Sequence, residues 1–320
     1  MYKRTASFVA IISLIGILGV AWFERDNLFD SWRLRNYSAP VEVVKLADAT
    51  TMDDKARRLF YVYRPSLDDK TTFNQHCSGS EQTIVLGCYV EHDGIYLYTV
   101  PDERLNGVIE VTAAHELLHA AYDRLSSKEK SRVDALTAQV AANITDERLK
   151  KTIENYRSKD ASVVPNELHS ILGTELRSLP PELEAYYKQY FTNRAAIVDF
   201  ADRYKQAFTE RENEVEALDN KLKAAKAEIE VLNASLESQQ AQLKSQYDIL
   251  QQTKRNGDVD AYNNAVAGYN QQVNRYNADV NKQKRLVSNY NATVEQRNNL
   301  AVEENELIKA LDSRDTVQSQ

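Results

Sequence analysis

From Ile197 onward the chain carries apolar residues at alternating steps of four and three. Ile197, Ala201, Tyr204, Phe208, Arg211, Val215, Leu218, Leu222, Ala225, Ile229, Leu232, Leu236, Gln239, Leu243, Gln246 and Leu250 form one seam. This is a heptad pattern sustained far beyond the three or four repeats that specify a coiled coil. Lys254 to Asp260 interrupts it with Asn256-Gly257. A second seam then runs through Tyr262, Val266, Tyr269, Val273, Tyr276, Val280, Gln283, Val287, Tyr290, Val294, Arg297, Ala301, Glu304 and Ile308. Two long helices joined by so short a break predict an antiparallel hairpin over 196–310. Asn follows each of the four tyrosines of the second seam. The plain reading of that repeat is core, with Tyr on the seam and Asn on its flank. The rival reading is a stripe that binds carbohydrate or peptide.

The rest of the chain must supply any chemistry. With only 9 Gly and 6 Pro in 320 residues, few turns are encoded and long helices are expected. The net charge of -7 and the absence of a concentrated Lys/Arg run argue against nucleic acid as a partner. At the N-terminus, Lys3 and Arg4 precede an apolar run from Ala6 to Phe23, closed by Glu24, Arg25 and Asp26. Its length is close to the roughly 20 residues that span a bilayer as a helix. The flanking charges favour a cytoplasmic N-terminus and an exported remainder. Residues 1–24 thus read as a single-pass signal-anchor, with a cleaved signal peptide as the rival, and 25–40 as a polar linker. Cys77 and Cys88, 11 residues apart, suit one disulfide in an oxidising compartment.

Residues 41–195 read as a small α+β domain. Thr51 is placed to cap a short helix through Phe60. Thr83 to Val90 and Ile95 to Val100 are β-branched and aromatic around Glu91-His92-Asp93-Gly94, the pattern of a β-hairpin. Helical periodicity covers Gly107 to Leu125, and more helix is expected from Ser127 to about Tyr156, from near Asn166, and from Glu182. Residues 311–320 read as a disordered tail.

Within the Gly107–Leu125 helix lies His115-Glu116-Leu117-Leu118-His119, an H-E-x-x-H sequence. Histidines at i and i+4 share one helix face and can bind one zinc ion, while the glutamate beside the first reaches the activated water as general base. A zinc hydrolase needs a third protein ligand. The metzincin pattern would require His at position 125 and Gly at 122, which are Leu125 and Tyr122. The aspzincin pattern after Gly173-Thr174 would require Asp at 177, which is Arg177.

The motif resembles the gluzincin group of zinc metallopeptidases, whose third ligand is a glutamate on a later helix. Asn166-Glu167 opening a helix is similar to the third-ligand segment of thermolysin-like enzymes, although the acid often found four residues later is Ile171 here. The resemblance implies Glu167 as third ligand, with Glu175, two helical turns on, as the alternative and His169 behind both. It also implies an edge strand that holds extended substrate, Ile95 to Val100 or its partner, and a Tyr or His at the oxyanion, for which His169, Tyr186 and Tyr187 stand as candidates. His76 and His92 fall in expected loops and are assigned no role.

The resulting expectation is a membrane-anchored zinc metallopeptidase acting on a protein or peptide outside the cytoplasm, with the coiled coil presenting the catalytic domain or binding a protein partner. The competing expectation is an envelope scaffold built on the coiled coil, with an inactive zincin-like domain.

Overall fold

The computed structural model describes residues 25–77 and 85–314. The apolar run from Ala6 to Phe23 lies outside them, and among the described residues no helix is long and apolar enough to cross a membrane. The chain is mostly helical, with one three-stranded sheet and a long helical hairpin. It divides into two units: Met1–Ala207 with Leu307–Gln320, and Phe208–Glu306.

In the first unit the helices are α1 (Arg25–Leu34), α2 (Val41–Ala49), α3 (Asp54–Val62), α4 (Lys70–His76), α5 (Val108–Asp123), α6 (Ser127–Ala141), α7 (Glu147–Lys159), α8 (Val164–Glu175) and α9 (Pro181–Tyr187), followed by the start of α10 (Arg194–Arg255). The strands are β1 (Ser66–Asp68), β2 (Gly87–Val90) and β3 (Gly94–Tyr98). The sheet order is β1-β3-β2. β2 pairs antiparallel with β3, matching Gly87 to Leu97 and Tyr89 to Ile95, while β1 runs parallel to β3 from Ser66–Tyr96 to Asp68–Tyr98. The hairpin over Glu91–Gly94 therefore forms as its turn residues dictate. Because a third strand joins on the far side, Ile95 to Tyr98 is the central strand and β2 is an edge. β1 spans three residues, too short for an alternation pattern to mark it.

Helix α5 runs through the middle of the core. Val108, Val111, Ala113, Ala114, Leu117, Leu118, Ala120 and Ala121 are all buried. Its alanines let neighbours approach closely, and α8 returns the favour at Gly173, where a Cβ would meet Leu118 Cδ1 at 2.5 Å and Tyr187 Cε1 at 2.8 Å. This tight α5–α8 contact sets the site geometry.

Several boundaries differ from the sequence reading. Residues 25–34, expected to be part of a linker, form α1, held by a bidentate Arg124–Asp30 pair at 2.7 and 2.9 Å and by Arg33 Nε donating to Val62 O at 3.0 Å. The cap of α3 is Asp53, whose carboxylate accepts from Ala56 N at 2.8 Å. Thr51 instead sits at φ 55 and accepts Thr192 N at its carbonyl. The helix expected from Ser127 to Tyr156 is two helices, because Asp146 caps a new one by accepting from Leu149 N. The expected disordered tail begins too early: Ser313 is buried, its hydroxyl donating to Val85 O at 2.5 Å, and Lys70 and Asn74 donate to the carbonyls of Asp312 and Ser313. Residues 315–320 lie outside the description. The Cys77–Cys88 disulfide is present, joining the end of α4 to β2.

In the second unit, α10 and α11 (Val259–Leu311) pair antiparallel. The cross-helix bonds Arg211–Glu303, Arg297–Asp219, Lys282–Glu228 and Gln239–Asp279 show one number falling as the other rises. Seam residues of both helices are buried or half-buried as the heptads require, up to Arg297. The tyrosines of the repeat are half-buried seam residues, and Tyr269 packs on Tyr247 with ring centroids 6.4 Å apart, as core tyrosines do. Beyond Arg297 the inward positions become Leu300 and Leu307, while Ala301 and Ile308 face solvent. An extra step of three, a stammer, shifts the register there. It turns the larger leucine side chain inward in place of Ala301.

Candidate metal site

His115 and His119 project one turn apart from α5, with ring centroids 4.7 Å apart. Glu167 comes from the first turn of α8, where Pro165 occupies one of the opening positions of the helix. The helix N-terminus favours its negative charge. Glu167 Oε2 lies 3.7 Å from His115 Nε2, and Oε1 lies 3.7 Å from His119 Nε2. These separations are too long for hydrogen bonds. They are close to the ~3.4 Å between ligands of a tetrahedral ion with bonds of about 2.0–2.2 Å.

Ligand atoms of the three residues lie within 4.8 Å of one another, so His115, His119 and Glu167 could hold a metal ion. Two further observations fit such an ion. Glu167 Oε2 is buried without a hydrogen-bond partner. His119 Nδ1 contacts Asn166 Oδ1 at 2.9 Å and Ser170 Oγ at 3.3 Å. Nδ1–H donates to the amide oxygen, which leaves Nε2 to face Glu167, the orientation a metal-ligating histidine has. Burial pushes the Glu167 carboxyl up, but the adjacent His115 and His119 imidazoles and the Tyr156 hydroxyl outweigh it and hold the group below its usual range.

Glu116 is buried beside His115 and packs on Gly87 of β2. All four residues line one cleft of about 750 Å³. Its far wall is β2 and the residues before it, Val85 to Tyr89. Of the two strands proposed to hold substrate, the edge strand β2 therefore borders the cleft.

Glu175 lines the same cleft but is not part of the metal-type group. Its carboxylate pairs with Arg148 at 2.5 Å and with Lys205 at 3.1 Å. Burial raises its pKa, and those two cations more than reverse the effect, leaving it lowered. Two turns of helix bring Glu175 back to the face of Glu167, but about 12 Å farther along the axis.

The residues expected at the oxyanion are elsewhere. His169 and Tyr187 are fully buried, and neither they nor Tyr186 line the cleft. His169 Nε2 meets Tyr186 OH at 2.9 Å, and Tyr187 OH donates to the His169 carbonyl at 2.7 Å. Burial, reinforced by His119 and His115, pushes His169 down to about 3, so it is neutral. On α8, position 169 points about 200° around the axis from 167, into the core. His169 is therefore no metal ligand in this arrangement. His76 closes α4, where it stacks on Tyr96, and His92 packs on Phe29; neither belongs to the metal-type group.

Tyr156 and Arg148, both on α7, do face the cleft. Neither was marked by sequence, since α7 carries no motif. Asn166 drew notice only as the neighbour of Glu167, and Gly87 only as a residue of a strand.

No protein family, no curated protein sequence and no solved structure matches this chain.

Proposed function

We propose that the chain is a membrane-anchored, zinc-dependent metallopeptidase of gluzincin type that hydrolyses peptide bonds outside the cytoplasm. The observation that carries this reading is the convergence of His115, His119 and Glu167, with Glu116 adjoining them in an open cleft. Two imidazoles and one carboxylate are the donor set of catalytic zinc sites, whereas calcium and magnesium prefer oxygen alone. Zinc held there supplies Lewis acidity, lowering the pKa of a water and polarising a carbonyl.

The chain's own residues do the rest. The outer edge of β2 takes the substrate backbone as an added strand, which lays the scissile bond along the cleft. Glu116 accepts the proton of the attacking water at its carboxylate and hands it to the leaving amine. Asn166 holds His119 in one tautomer. Tyr156, whose hydroxyl reaches the Glu167 carboxylate, is the cleft donor placed to meet charge that develops on the carbonyl oxygen.

The test compares wild type with Glu116→Gln. Wild type binds stoichiometric zinc and cleaves peptides; the variant keeps the zinc and loses cleavage by orders of magnitude. A wild-type chain that binds no zinc, or that binds it and cleaves nothing, sinks the enzyme reading and leaves the coiled-coil scaffold.

A further inference from the structure

α1 has two faces. Phe29, Asp30 and Arg33 turn toward the globular unit. Phe29 packs edge-on to His92 with centroids 5.4 Å apart, Asp30 is buried under Arg124, and Arg33 reaches the carbonyls of Val62 and Asp93. Arg64 donates in turn to the Arg33 carbonyl at 2.7 Å. The outer side carries Leu28 and Trp32, one turn apart and 60% and 67% exposed, the Trp32 ring flanking Phe29 at 6.4 Å. Such residues on a helix this well secured are not there to complete the fold. Isolated exposed apolar residues are ordinary, but a Leu–Trp pair on one face of a short polar helix is a surface patch.

The sequence says what covers it. The apolar run ends at Phe23, and Arg25 opens α1. A helix standing along the bilayer normal would lift Trp32 roughly 13 Å above the end of that run, beyond the ~5–7 Å headgroup layer. Lying in the bilayer plane, the same helix buries one apolar face about 5–10 Å into the headgroup boundary, where tryptophan is enriched.

We infer that α1 is an interfacial helix, with Leu28 and Trp32 inserted among phospholipid headgroups and its other face bolted to the globular unit. Through Asp30 and Arg124 this contact reaches the residue that closes α5, the helix of His115 and His119. The cleft thereby takes one fixed orientation to the bilayer. The inference rests on the anchored part of the proposed function and is independent of the peptidase chemistry.

Trp22 and Trp32 are the chain's two tryptophans, so full-length Trp22→Phe leaves Trp32 as sole reporter. This chain is reconstituted in phosphatidylcholine–phosphatidylglycerol vesicles, and anchoring is read separately by flotation. The expected result is blue-shifted Trp32 emission, quenched most by lipid brominated near the headgroup and shielded from aqueous iodide. Adding Leu28→Glu should reverse the shift and the shielding while circular dichroism stays unchanged. A chain that floats with the vesicles but leaves Trp32 open to iodide overturns the inference and keeps the anchor. A chain that does not float and shows no shift overturns both. Shielding that depends on protein concentration and not on lipid assigns the face to a second copy, and also overturns it.

Discussion

Gly87 and Glu116 touch across the wall of the cleft: a Cβ on residue 87 would stand 2.9 Å from Glu116 Cγ and 3.0 Å from its Oε1. Real Cβ atoms essentially never come closer than 3.0 Å to a neighbour, and the same Cβ would stand 2.5 Å from Thr112 Cγ2. The absence of a side chain at 87 is therefore what lets the carboxylate lie where it does.

Gly87→Ala should push Glu116 aside without touching a metal ligand. A displacement of about 1 Å in a general base costs roughly 100-fold. The expected outcome is a fall of about 10–100-fold in kcat with zinc content unchanged, read from steady-state kinetics beside metal analysis. Normal kcat would mean that Glu116 does not act from this position.

Glu167 and Glu175 should separate cleanly. Glu167→Ala removes the proposed third ligand and should lose zinc under mild chelation. Glu175→Ala should retain it, but removes the carboxylate that Arg148 and Lys205 share. Arg148 is half-exposed, so the stability loss should be about 1–3 kcal/mol, below that of a fully buried pair. Zinc loss ranked the other way would move the ligand to Glu175.

The same carboxylate gives a pH signature. The pKa of Glu175 is lowered in the folded chain by Arg148 and Lys205 acting against burial. Its contribution is thus complete above the unfolded value of about 4.3 and fades as pH falls below it. The stability gap between wild type and Glu175→Gln, measured by denaturant titration, should be constant from pH 7 to about 5 and shrink below 4. A gap that widens in acid has the wrong sign for this pairing.

Asn166→Ala should leave the three ligands in place and free the His119 ring to rotate. Outer partners of ligand histidines typically contribute 10–100-fold in metal affinity or activity. Competition with a chelator should show a loss of about that size, smaller than for Glu167→Ala. Unchanged affinity would reduce the 2.9 Å contact to packing.

Residues 208–306, produced alone, should give the circular dichroism of a helical hairpin, with melting unaffected by chelator, since none of His115, His119 and Glu167 lies within them. A fragment without helical signal would show that the hairpin depends on the globular unit.

What the sequence made legible was local. The i, i+4 spacing of His115 and His119, the heptads of α10 and α11 and the turn residues between β2 and β3 each specify an element from its own residues. Glu167 needed the resemblance to be singled out, because its meeting with the histidines depends on the approach of α8 to α5 at Gly173. Contacts of that kind carry no periodic signature. The central position of β3 follows from pairing with a three-residue strand, the register shift after Arg297 from packing, and the embedding of His169 from tertiary burial. α1 read as a tether because its inward face is made by Asp30 and Arg33, charged residues that become structural only once Arg124 and Val62 stand opposite them.

The globular unit is completed by residues that follow the hairpin in the chain. Lys70, Asn74 and Val85 receive their partners from Asp312 and Ser313, after the hairpin of residues 208–306 has been passed. At 5–20 residues per second, synthesis of that insertion takes roughly 5–20 s. All four cleft residues have been made before it starts, yet the segment leading into β2 acquires its last clasp only afterward. The clasp that Ser313 places on Val85, at the edge of the cleft, can therefore form only after the coiled coil has been made.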